Sequence, residues 1–258
     1  MGETLITEVR KHADLEELSR VVAEEITGEV ETAVSTRGRF SIALSGGRTP
    51  RHLYEILASQ YHDKIAWDMV HIFWGDERYV SADHTDSNYG MVADSLISRV
   101  LIPSYNIYRI PTEIEPPERA AEAYEQTLRA FFSETYSEAE KGADDFTFDV
   151  ILQGIGEDGH TASLFPTDPV LDEKEKWVVP VTAPPGYSPQ ERITLTFPVL
   201  NKSRKAFFIV SGEGKRDVLN TILNSPAEAE NHYPAANIRP MDELVWYVDD
   251  AASGVSLD

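Results

Sequence analysis

Hydrophobic and polar positions alternate along this chain in two distinct periods. Six short runs rich in β-branched and aromatic residues, each bounded by Gly, Pro, Asp or Ser, predict strands. They are RFSIAL (39–44), VHIFW (70–74), FDVIL (148–152), RITLTF (192–197), KAFFIV (205–210) and LVWYV (244–248). Between them, LEELSRVVAEEITGEVETAV, PRHLYEILASQ, SNYGMVADSLISRV, PPERAAEAYEQTLRAFFSETY and KRDVLNTIL place apolar residues three and four apart, which predicts helices. Pro50 and Pro116 sit where a first helical turn tolerates a missing N–H, and so mark two helix starts. Strands that alternate with helices pair in parallel through right-handed crossovers. Several strands are apolar at successive positions, as a sheet covered on both faces requires. The expected architecture is an α/β sandwich: a mainly parallel sheet with helices on both faces.

No internal repeat, low-complexity linker or break in composition divides the 258 residues. Roughly 200–250 residues is a common size for one α/β unit, so a single domain over 1–258 is expected. SEAEKGADD (137–145) reads as an acidic surface loop and DDAASGVSLD (249–258) as a loose tail.

Charge narrows the partners. With 23 Lys and Arg against 44 Asp and Glu, the formal net charge is −21. A nucleic-acid backbone or an anionic membrane would be repelled at long range, so neither is expected as a partner. Solubility is the plainest reading of such acidity. A phosphorylated small molecule remains open, provided that backbone amides and a few Arg or Lys gather in a cleft. Such short-range contacts outweigh a global field screened within about 8 Å at physiological salt. The absence of cysteine excludes a disulfide frame, a thiolate zinc site and a cysteine nucleophile. No run approaches the roughly 18 apolar residues of a membrane span, and the opening MGETLITEVRKHADLEELSR has no apolar core segment, so a cytoplasmic location is expected.

In an open parallel sheet, ligands bind beyond the carboxyl ends of the strands, and three loops there carry unusual residues. LSGGRTP (44–50) joins a strand to a helix. Its glycines Gly46 and Gly47 allow N–H groups to turn toward an anion, Ser45 and Thr49 add hydroxyls, and the helix adds its positive end. A glycine turn needed only for tight packing would look the same. WGDERYVSADHTDSNYG (74–90) follows the next strand. There Asp76 or Glu77 is placed to orient a base or bind sugar hydroxyls, and Arg78 to meet a phosphate or an oxyanion; a solvated salt bridge is the bland alternative. Asp83, His84 and Asp86 lack recognised ligand spacing, so no metal is expected.

GIGEDGHTASLFP (154–166) is the third loop. His160 stands at the start of HTASLF, read as a short helix whose N-terminus would favour the neutral imidazole, which accepts a proton near neutral pH. Asp158 or a carboxylate from the second loop is available to fix its tautomer. In GEGK, Lys215 precedes a helix, where the dipole slightly disfavours a cation and so argues for another use.

Together, LSGGRTP, WGDERYV…DSNYGM, GIGEDGHTASLFP, RITLTFPVLN and SGEGKRDVL resemble the 6-phosphogluconolactonase family in order and approximate spacing, over residues 44 to about 219. The resemblance implies the Rossmann-like fold shared with glucosamine-6-phosphate deaminases and ribose-5-phosphate isomerases. It implies hydrolysis of 6-phosphoglucono-δ-lactone to 6-phosphogluconate without a cofactor, beside glucose-6-phosphate dehydrogenase in the pentose phosphate pathway. In that reading His160 takes the proton of water and Asp76 orients His160 or the sugar. Arg78 and Arg192 meet the phosphate or the oxyanion, and Lys215 reaches the phosphate beside Ser45, Gly46, Gly47, Arg48 and Thr49. Gln153 departs from the pattern, standing where an apolar residue is expected. Two other readings stay open on these residues. A sugar-phosphate isomerase or deaminase shares the fold but resembles GHIAFNEP after the glycines, and a non-catalytic sugar-phosphate sensor would need a DNA-binding helix pair that the chain does not show.

Overall fold

The computed structural model describes residues 6–135 and 147–254. Its strands are β1 (Ile6–His12), β2 (Phe40–Leu44), β3 (Val70–Trp74), β4 (Asp76–Arg78), β5 (Ile107–Tyr108), β6 (Phe148–Gln153), β7 (Val178–Thr182), β8 (Glu191–Leu195), β9 (Ser203–Val210) and β10 (Glu243–Asp249). The helices are α1 (Leu15–Arg37), α2 (Arg48–Gln60), α3 (Asn88–Ser95), α4 (Pro117–Thr135), α5 (Phe197–Leu200), α6 (Arg216–Asn224), α7 (Pro226–His232) and α8 (Asp250–Ser253).

Seven strands pair in parallel in the order β1-β10-β9-β6-β2-β3-β5. After β2 the chain moves outward through β3 and β5, then returns to lay β6 on the other side of β2. This reversal opens a crevice at the carboxyl ends of β2 and β6, where loops 45–47 and 154–160 emerge. The central strands β2 and β6 are buried at every residue, which is why their runs are mostly apolar on both faces. The core is aromatic: Phe208 stacks on Trp246 at 4.0 Å and Phe73 on Tyr108 at 4.5 Å.

Local signals set the helix ends. Asp14 caps α1 by accepting the Glu17 N–H at 2.9 Å, and Glu17 reaches back to the Ala13 N–H at 2.8 Å. The helix buries Leu18, Val22, Ile26 and Val30 and stops at Gly38, which takes the left-handed conformation.

The structure differs from the sequence reading in several places. RITLTF becomes β8, but its neighbours are β4 and β7 and both pairings are antiparallel, so it belongs to a separate three-stranded sheet. That sheet joins the carboxyl edge of the large one at Gly75, whose N–H donates to Leu44 O and whose carbonyl accepts from the Leu195 N–H, both at 2.9 Å. HTASLF is not a helix. Thr161 bridges to Leu164 and Ala162 turns to a φ of 48°, so this segment offers His160 no helix N-terminus. The helix α2 starts two residues before Pro50, and α4 starts just after Pro116. The tail is in part the end of β10 and the short α8; residues 255–258 and the acidic stretch 137–145 lie outside the described residues.

Candidate active site

At the end of β2 the Tyr54 hydroxyl accepts the Ser45 N–H at 3.2 Å and donates to Ser45 O at 2.8 Å, which fixes the backbone of the glycine loop. Ser45 Oγ is buried without a hydrogen-bond partner. A Cβ at Gly46 would overlap the buried Asn88 side chain, so any larger residue there would have to displace Asn88. Gly47 then caps α2 with no side-chain hydrogen bond, so the first-turn N–H groups stay available to an anion.

The second loop is braced by Glu77. Its buried carboxylate accepts the N–H groups of Arg78, Asn88 and Tyr89 at 2.7–2.8 Å and the Ser87 hydroxyl at 3.1 Å. Burial pushes this carboxyl above its ordinary value, against the pull of the three amides. The α3 start is thereby clamped to β4, and the Asn88 side-chain amide donates to Asp76 O at 2.9 Å and to Asp76 Oδ1 at 3.3 Å. Asp76 Oδ2 accepts the Ser163 hydroxyl at 2.7 Å. Asp76 therefore bonds the loop that carries His160 rather than His160 itself.

Arg78 and Arg192 face each other across the β4–β8 pairing, which brings two guanidinium groups to one side of the small sheet. Arg78 donates to Asp86 O at 2.8 Å, while its Nε is buried without a partner. Arg192 is 5 % exposed, and burial lowers its pKa while Asp76 opposes the shift. Two cations side by side, one buried and one half-buried, make a seat for negative charge.

His160 is oriented by its own loop. Its Nδ1 lies 2.6 Å from Asp158 Oδ1, and its backbone N–H donates to the same oxygen at 3.2 Å. Burial works to raise the Asp158 carboxyl, but the hydrogen bonds and charge of His160, with the Tyr187 hydroxyl, hold it well below the carboxylate range. A Cβ on Gly156 would overlap both the imidazole and the Asp158 carboxylate, so the glycine permits their pairing. With Nδ1 engaged, Nε2 is the nitrogen left to accept a proton. Gln153, buried below the loop, accepts the Thr161 hydroxyl at 2.6 Å, which accounts for a polar residue at that strand end.

These parts meet in one cleft of about 210 Å³. Ser45, Gly46, Gly47, Asp76, Arg78, His160, Arg192 and Lys215 are all in its wall. Arg48 and Thr49 are not lining residues, although the charge of Arg48 acts on Lys215. Among the described residues no group of three His, Asp or Glu could hold a metal ion, and no helix is long and apolar enough to cross a membrane.

A family model described as glucosamine-6-phosphate isomerases/6-phosphogluconolactonase matches residues 13–246. The chain belongs to that family. It is 41% identical over 232 residues to a 6-phosphogluconolactonase of a Nostoc species, covering 90% of each chain. To the protein of that name from a Synechocystis species it is 42% identical, covering 88% of this chain and 89% of the relative. Among solved structures, a 6-phosphogluconolactonase from Thermotoga maritima superposes with a TM-score of 0.79 at 32% identity, over 94% of this chain and 99% of that one. The enzyme of that name from Trypanosoma brucei gives 0.82 at 28%, over 97% and 99%. A monomeric glucosamine-6-phosphate deaminase, 17% identical, shares the fold with a TM-score of 0.78.

Within this family architecture, sequence reasoning passed over three contributors. Asn88 lies inside the DSNYGM motif but carries no charge to draw attention. Ser163, two residues beyond Thr161, became visible only through its bond to Asp76. Tyr187 lies in APPGYSPQ, where no periodic or motif signal marks it.

Proposed function

We propose that this chain hydrolyses 6-phospho-D-glucono-1,5-lactone to 6-phospho-D-gluconate, using water activated by His160 and no cofactor. The observation that carries the reading is an Asp158-bonded imidazole in the wall of a cleft that also holds an anion seat at the glycine loop and a pair of guanidinium groups. The names of relatives at 41% and 42% identity support the same substrate.

The phosphate sits against Ser45–Gly47, the start of α2 and Lys215, which places the lactone ring toward His160. Nε2 takes a proton from water as the water oxygen bonds to the carbonyl carbon. The negative charge that develops on the carbonyl oxygen faces Arg192 and Arg78. The tetrahedral adduct then collapses, the bond to the ring oxygen breaks, and that oxygen leaves with the proton held by His160. The carboxylic acid formed ionises in water. Asp158 holds the imidazole in the tautomer that presents Nε2 and stabilises the imidazolium between the two transfers.

The test is a pH-stat assay with fresh lactone, corrected for spontaneous hydrolysis, beside an ammonia-release assay with glucosamine 6-phosphate. The lactone should be consumed and no ammonia released. His160→Gln should lower kcat by about 10²–10⁴. More than half of the turnover surviving in that variant would remove His160 from the mechanism.

A further inference from the structure

Tyr187 lies in the loop between β7 and β8, and the loop is closed at its neck. The Ala183 N–H donates to Gln190 O at 2.8 Å, and the Gln190 side-chain amide donates to Ala183 O at 3.2 Å. Inside the loop the Tyr187 N–H donates to Pro184 O at 3.2 Å, so the ring is carried on a turn. The Tyr187 hydroxyl donates to Asp158 Oδ2 at 2.8 Å and lies 3.4 Å from His160 Nδ1. The ring meets the imidazole edge-on at 5.4 Å and Phe165 at 5.0 Å. The Arg192 guanidinium carbon stands 5.9 Å from the centre of the same ring, and Arg192 Nε donates to Pro189 O of the same loop at 3.1 Å.

We propose that Tyr187 is a positioning residue for the base, the outer member of a Tyr187–Asp158–His160 chain that fixes the Asp158 carboxylate and sets how readily His160 takes a proton. This rests on the reading of His160 as the base. Asp158 offers one oxygen to the imidazole and the other to the phenol, so neither can be released by rotation of the carboxylate without breaking the other bond. A donor on Oδ2 also draws charge away from Oδ1, which moderates how strongly the carboxylate stabilises the imidazolium. Burial, with the nearby Asp158, pushes the Tyr187 hydroxyl up to about 12, so it remains a donor in the working range. The other charges that face this chain are Glu157 on its own loop, Arg192 on β8, and Lys215 ahead of α6. None of them changes when the hydroxyl is removed.

The deciding experiment is the pH–rate profile of Tyr187→Phe with the lactone. Loss of a hydrogen bond to a charged group should lower kcat by about tenfold and leave KM within about twofold. Without its second donor, Asp158 holds the imidazolium more strongly, so the acid limb of kcat/KM should move up by about half a pH unit. A purely structural loop would alter Tm or KM and leave the limb in place. The position of the limb does not depend on the folded fraction, so even a less stable variant reports on the base. In an Asp158→Asn background the same substitution should add little further loss. An unmoved limb with kcat within about twofold of the parent overturns the inference while His160→Gln remains crippled. More than half of the parent's turnover in His160→Gln would remove the reading on which it rests, and the inference with it.

Discussion

Lys215 is pulled in opposite directions: burial and Arg48 disfavour its charge, while Glu157 and Asp158 favour it, and the balance lowers its pKa. An anion that arrives between Lys215 and the glycine loop relieves this tension, which suits a phosphate. Lys215→Ala should weaken 6-phosphogluconate binding by roughly 1.5–3 kcal/mol, the scale of a charge-assisted hydrogen bond. Gluconate without phosphate should bind both forms alike. Calorimetric titration decides the point, since equal dissociation constants for 6-phosphogluconate would put the phosphate elsewhere. That Ser45, Gly46, Gly47 and His160 would share a cleft was legible because each lies in a contiguous loop at the carboxyl end of a strand. The partner of His160 was narrowed only to Asp158 or a second-loop carboxylate. That choice depends on where Asp76 points, and Ser163 and Asn88, distant in sequence, determine it.

Among the elements, α3 is braced at its start by a single side chain. Glu77 satisfies N–H groups at the start of this helix and the hydroxyl of its capping residue Ser87 at once. Glu77→Gln turns an amide NH₂ toward that group of donors and should cost about 2 kcal/mol, lowering Tm by roughly 4–8 °C for a chain of this size. A melting curve that superposes on the parent would show the clamp to be dispensable. The central strands were readable because burial on both faces makes most of their positions apolar. The edge strand β1 was not: ITEVRKH carries Glu8, Arg10 and Lys11, and charge on an edge suppresses both pairing with other chains and the strand pattern itself. The strands β4 and β5 have three and two residues, too few to show a period. β8 was visible, but its antiparallel partners were not, because alternation along one strand carries no information on which strand lies beside it.

Over the whole molecule, a charge of −21 repels a phosphorylated ligand at distance, whereas the cleft wall gathers Arg78, Arg192 and Lys215. Salt screens the long-range part first, so kcat/KM should hold or rise slightly as NaCl goes from about 0.02 to 0.2 M. A tenfold fall over that interval would reveal attractive steering and contradict this balance. The two sheets meet at Gly75, and the next residue, Asp76, links α3 through Asn88 to the His160 loop through Ser163. A mutational screen scored only by surviving activity would accordingly rank Asp76 beside His160 and credit both with chemistry. Separating them takes a second axis, the amount of folded protein each variant leaves in the cell, because Asp76 joins α3 to the loop that carries His160.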